Sequence, residues 1–136
     1  CSPVADRRCR IKLRPDYANI QLLEDFIACC EFPDDDVYRR ATLVAVECFD
    51  NIISHGKAFG RYSVEVVVDE APEPRIRFRY PTTNFGEALR GNLHARPHYD
   101  AESGRYRGLG LRMCRNLSRR LVFRKGLFKS EITIIL

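Results

Sequence analysis

The stretch Val46-Glu47-Cys48-Phe49-Asp50-Asn51-Ile52-Ile53-Ser54-His55-Gly56 constrains this chain more than any other. It sets a carboxylate, an amide and an imidazole at successive four-residue intervals, then stops on a glycine. Residues four apart on a helix lie nearly above one another, so Glu47, Asn51 and His55 form one polar ridge. Ala41, Val44, Ala45, Cys48 and Ile52 make a separate apolar face that must be buried. The ridge can present a base, a hard oxygen ligand and a further hydrogen-bonding group to one ligand. His55 also has a plain reading, as an imidazole stabilised by the C-terminal end of the helix dipole.

The flanking patterns supply the rest of a fold. Cys9 to Arg14 alternates and reads as a strand closed by Pro15. Tyr17 to Cys30 reads as a helix with Ile20, Leu23, Phe26 and Ile27 on one side and Asp16 as N-cap. Asp34, Asp35 and Asp36 suit the start of the next helix, which runs to His55 and ends at Gly56. Arg61–Asp69 and Arg75–Tyr80 read as a hairpin around Glu70-Ala71-Pro72-Glu73-Pro74. From Gly86 to Arg107 the pattern is weak, and a short helix near Glu87–Arg90 followed by a mobile loop is expected. His94 and His98 fall in that loop and read as exposed side chains. Gly108-Leu109-Gly110-Leu111 opens a third helix with a stripe of Met113, Cys114, Leu117 and Leu121. Leu121–Arg124 and Glu131–Leu136 are two last strands about Gly126. Hairpin strands with grouped helices predict an α+β fold, with helices on one face of a mixed, mostly antiparallel sheet.

With 136 residues, 45% apolar and 30% charged, the chain has the size and composition of one globular domain. No apolar run approaches the roughly 18–20 residues of a transmembrane helix. The start at Cys1 rather than Met reads as a fragment or processed form. Cys1, Cys9, Cys29, Cys30, Cys48 and Cys114 show no Cys-x-x-Cys spacing and read as free, buried thiols of a reducing compartment, hence the cytoplasm. Charge is uneven. Residues 1–68 hold 9 Lys/Arg against 11 Asp/Glu, and residues 69–136 hold 14 against 7. From Ser103 to Ser130 there are nine basic residues and no acid. Such a field attracts a nucleotide phosphate, a nucleic acid or an acidic protein surface. No recognised nucleic-acid motif accompanies it, which weakens that option.

The Glu47/Asn51/His55 helix, a hairpin, a loose loop and Gly104-Arg105-Tyr106-Arg107-Gly108-Leu109-Gly110-Leu111 stand in a telling order. Together they resemble the histidine-kinase-like ATPase superfamily, and within it the bacterial anti-sigma factor serine/threonine kinases. The similarity of layout spans roughly Arg10 to Leu136. It implies a two-layer, Bergerat-type ATP-binding fold, with residues 1–9 as a tail, 10–136 as one domain and a lid at about 86–107. It implies ATP and magnesium as cofactors: Asn51 as the metal ligand, and Arg105, Arg107, Gly108, Leu109 and Gly110 around the phosphates. Glu47 would be the catalytic residue, acting as a base or orienting the attacking group. A sigma factor and its antagonist protein would be the partners, and proteins of this type often form homodimers.

One family motif is missing. Its Asp-x-Gly-x-Gly follows the second hairpin strand, where this chain has Tyr80-Pro81-Thr82-Thr83-Asn84-Phe85. The aspartate that accepts the adenine amino group aligns with Tyr80, and the glycines with Thr82 and Asn84. A neutral phenol does not replace that carboxylate, and losing such a hydrogen bond costs about 1–3 kcal/mol. Two functions therefore compete. One is an ATP-binding regulatory kinase; the other is a degenerate protein-binding module on the same fold that has lost nucleotide binding.

Overall fold

In the computed structural model the described residues are 8–56, 62–70, 73–81, 98–100, 105–107 and 115–136, with backbone only for 55, 56, 98–100 and 105–107. Alternation from the first strand onward becomes β1 (Arg8–Leu13), which sends Cys9, Ile11 and Leu13 to the core. Asp16 accepts the Ala18 N–H at 3.0 Å and starts a 3-10 turn, Tyr17–Asn19, that runs into α1 (Ile20–Cys29). Cys30 ends α1 in extended conformation, φ −82° and ψ 151°. Asp34 then accepts the Val37 N–H at 2.9 Å and caps α2 (Asp35–Gly56). Asp35 and Asp36 lie in its first turn, where the dipole favours them.

Five strands form one sheet in the order β1-β2-β3-β7-β6, with β2 (Val64–Asp69), β3 (Arg75–Pro81), β6 (Arg120–Lys125) and β7 (Lys129–Ile135). Every pairing in it is antiparallel, where a mixed sheet was expected. β2–β3 and β6–β7 are hairpins; β1–β2, joined through both helices, and β3–β7, not consecutive in the chain, also pair antiparallel, so no parallel pair arises.

One buried cluster joins both helices to one face of the sheet. Leu23 and Ile27 come from α1, and Ala41, Val44, Ala45, Cys48, Phe49, Ile52 and Ile53 from α2. Val66, Phe78 and Ile132 answer them in register across three strands. The opposite face is charged. A single row across all five strands reads Lys12, Glu65, Arg79, Glu131, Arg124, so every neighbour pair has opposite sign. Arg79 sits at its centre, 2.8 Å from Glu131 and 3.1 Å from Glu65. Burial pushes the Glu131 carboxyl up, but hydrogen bonds from Arg79 and Thr133 outweigh it and hold the group below the usual range. A carboxyl held low stabilises the fold above its unfolded value of 4.5 and loses that contribution as pH falls. In Glu131→Gln, urea midpoints measured from pH 6 down to pH 3 are therefore expected to fall less steeply than in the parent.

The chain reverses between β6 and β7 at Gly126, whose N–H donates to the Lys129 carbonyl at 3.0 Å. A Cβ at Gly126 would collide with that same carbonyl oxygen, and backbone cannot swing aside as a side chain can. Gly126→Ala is expected to cost about 1–3 kcal/mol, the range of most damaging point substitutions, read as a lower urea midpoint.

Two expectations change. Within the stretch expected to be a loop, β4 (His98–Asp100) and β5 (Arg105–Arg107) pair antiparallel as a separate two-stranded sheet. Three-residue strands are too short to show period-two alternation, and backbone hydrogen bonds alone define their ladder. The helix expected at 87–90 lies outside the described residues. Leu121, expected both at the end of the third helix's stripe and as the start of the strand Leu121–Arg124, lies in β6 and pairs with Ile134, because β-favouring Val122 and Phe123 carry the strand through it. Helix remains at 115–117; residues 108–114 lie outside the described set. No helix among the described residues is long and apolar enough to cross a membrane.

Candidate functional site

Helix α2 positions the polar ridge. Glu47 is half-buried and Asn51 keeps 4% of its exposure. The Asn51 Nδ2 donates to the Glu47 carbonyl oxygen at 2.7 Å, one turn back. That bond fixes the amide plane along the helix and places its carbonyl oxygen on the other branch. Asp50, which the sequence did not single out, is a buried carboxylate beside it at 3% exposure. One turn on, Ser54 donates to the Asp50 carbonyl and meets the Tyr17 hydroxyl at 3.0 Å, tying α2 to the turn before α1. His55 is helical, and its side chain is outside the described set.

Asn51→Ala is expected to change folding stability by less than about 1 kcal/mol. The helix gains its best former and loses one side-chain bond to a carbonyl whose main partner is the helix itself. A thermal or urea transition of the variant checks this.

Across from α2, β3 delivers Tyr80 to the helix-facing side of the sheet, in line with Ile76 and Phe78. Tyr80 is 4% exposed and belongs to the same core cluster as Cys48, which lies three residues before Asn51. Burial raises the phenol pKa well above its ordinary value, and the nearby Cys48 adds to the rise. The ring is thus a core element at the position where the resemblance led to the expectation of an aspartate. An anionic acceptor is absent there, and an apolar ring fills its place.

The remaining expected groups are not gathered by the described residues. Arg105 and Arg107 lie on β5 and pair with Asp100 and His98 of β4 through the backbone, and their side chains are outside the described set. Gly108, Leu109 and Gly110 also lie outside it. Neither of two open cavities lined by described residues includes Glu47 or Asn51. One, about 300 Å³, lies at the β1–β2–β3–β7 end of the sheet among Lys12, Tyr62, Glu65, Arg79, Tyr80 and Lys129. The other, about 460 Å³, lies beyond the end of α1 among Cys30, Glu31, Phe32, Asp34, Asp35 and Tyr38.

That second cavity adjoins a cluster sequence spacing did not reveal. Cys9 on β1, Cys30 at the end of α1 and Glu70 just after β2 bring two Sγ atoms and a carboxylate oxygen within 4.8 Å of one another. The Cys9 Sγ lies 3.5 Å from Glu70 Oε1, and the Glu31 N–H donates to the same oxygen at 2.8 Å. The expected buried thiols are found at Cys30 and Cys48, whereas Cys9 is half-buried and Cys29 exposed. The parity of β1 was the available signal, because it puts Cys9 on the core face with Ile11 and Leu13.

No family model matches the chain, and no curated protein matches it in a sequence search.

Proposed function

We propose that this chain is a regulatory protein-binding module on the ATP-binding fold of the anti-sigma factor serine/threonine kinases, in which nucleotide binding has been lost. The observation that carries the reading is the burial of Tyr80 in the core, opposite α2, where the family holds the adenine-binding aspartate. In this reading α1 and α2 cover one face of the sheet as a two-layer, Bergerat-type sandwich, and the space at Tyr80 belongs to the protein's own core. A residue at 4% exposure, as Asn51 is, also leaves little room for magnesium with its several waters and phosphate oxygens. In this reading ATP and magnesium are not bound, and no chemical step is assigned to Glu47.

What the fold keeps is a surface for partners. The second half of the sequence, residues 69–136, is strongly basic, with 14 Lys/Arg against 7 Asp/Glu. A sigma factor or its antagonist, bound through an acidic surface in the cytoplasm, suits that charge. The second reading is a magnesium-ATP-dependent serine/threonine kinase, and the Glu47/Asn51 row on α2 favours it. Calorimetric titration of the folded chain with ATP and ADP, with and without magnesium, separates them. No heat of binding up to millimolar nucleotide is expected. Saturable, magnesium-dependent binding that Asn51→Ala abolishes would establish the kinase reading instead.

A further inference from the structure

We propose that Cys9, Cys30 and Glu70 form a site for a divalent zinc-class ion, with water in the fourth position. The argument is geometric. With Zn–S of about 2.3 Å and Zn–O of about 2.0 Å, a tetrahedron has S···O edges of about 3.5 Å and an S···S edge of about 3.8 Å. The Cys9 Sγ to Glu70 Oε1 distance is 3.5 Å, and all three ligand atoms fall within 4.8 Å of one another. Closing on an ion requires movements of tenths of an ångström to about an ångström, within the reach of single side-chain rotations.

The donor set selects the metal. Two thiolates and one carboxylate suit zinc and disfavour magnesium or calcium, which take oxygen ligands. On binding, each thiol releases its proton to solvent, so two thiolates and a carboxylate face a dication and the site carries one net negative charge. The carboxylate is already oriented. The Glu31 N–H holds Glu70 Oε1 at 2.8 Å, the kind of outer hydrogen bond that fixes a metal ligand. There is also a way in. Cys30 lines the open cavity of about 460 Å³, whose wall bears Glu31, Asp34 and Asp35, an acidic approach for a cation. The three ligands come from β1, the end of α1 and the residue following β2, so an ion there clips three separate parts of the chain together. Short paired spacings, which this sequence lacks, are not needed when the fold rather than a single loop assembles the ligands.

The test uses the full chain, purified under reductant and desalted after addition of zinc or cobalt(II). One ion per chain is expected, with cobalt giving the intense visible and thiolate charge-transfer absorption of a tetrahedral sulfur site. Cys9→Ser, Cys30→Ser and Glu70→Gln should each weaken zinc binding by more than the 10–100-fold that loss of an outer-shell partner costs. Circular dichroism identifies any variant that fails to fold, and Glu70→Gln keeps an oxygen for the Glu31 N–H, so at least one variant reports on the metal alone. Cys29→Ser, at the exposed neighbour, should retain full affinity. Absence of stoichiometric metal would overturn the proposal. So would unchanged affinity in the three variants, loss of affinity in Cys29→Ser, or a Cys9–Cys30 disulfide in protein that takes up no zinc once reduced.

Discussion

Tyr80→Ala is expected to destabilise the fold by about 3–5 kcal/mol, the range found for removing a large buried aromatic ring. The reason lies in the position of the side chain. Tyr80 is 4% exposed and sits in the cluster that joins β3 to α2, so removing the ring opens a cavity between layers already filled by Phe49 and Phe78. Tyr80→Phe keeps the ring and should cost no more than about 1.5 kcal/mol, the usual bound for near-isosteric change. Urea unfolding followed by circular dichroism reads both, with the midpoint falling and the slope unchanged. If Tyr80→Ala costs under about 1 kcal/mol, the ring is not a core element, and the space it fills could be given to a ligand.

Phe49→Ala is expected to have an effect of the same size, about 3–5 kcal/mol. Phe49 is fully buried and is among the largest side chains in the core. It lies between Glu47 and Asn51 in sequence but on the core side of α2. Its loss would loosen the helix against the sheet rather than alter the polar ridge. The pair of results discriminates. If Phe49→Ala is severe while Asn51→Ala is nearly silent, α2 is held by its apolar face, and the ridge is carried at little cost in stability. The same urea series provides the readout; equal losses from both substitutions would contradict this division of labour.

Much of the fold was legible because its signals are local. Alternation gave strands at Cys9–Arg14, Arg61–Asp69 and Arg75–Tyr80, which form as Arg8–Leu13, Val64–Asp69 and Arg75–Pro81, and Asp16 and Asp34 supply the N-terminal capping bonds their residue types suggest. The buried face of α2, Ala41, Val44, Ala45, Cys48 and Ile52, was readable from a 3.6-residue period. What was not legible is non-local. The β4–β5 pair is held by backbone bonds between strands too short to carry a pattern. The Lys12–Glu65–Arg79–Glu131–Arg124 row exists only once the register of five strands is set. Cys9, Cys30 and Glu70 are separated by 21 and 40 residues in sequence, and only the packing of β1 and β2 on the end of α1 unites them. At Tyr80 the sequence marked a departure from a pattern, and the structure adds that the ring belongs to the core.

The central claim is that the space beside Asn51 belongs to the protein and not to a nucleotide. Amide NMR of the isotope-labelled chain, titrated with magnesium-ATP to millimolar concentration, tests it at the residue concerned. The Asn51 side-chain amide and the backbone amides of α2 are expected to stay where they are, while Tyr80→Ala alone perturbs them. Saturable, magnesium-dependent shifts centred on Asn51 and Tyr80 in the unsubstituted protein would contradict the account.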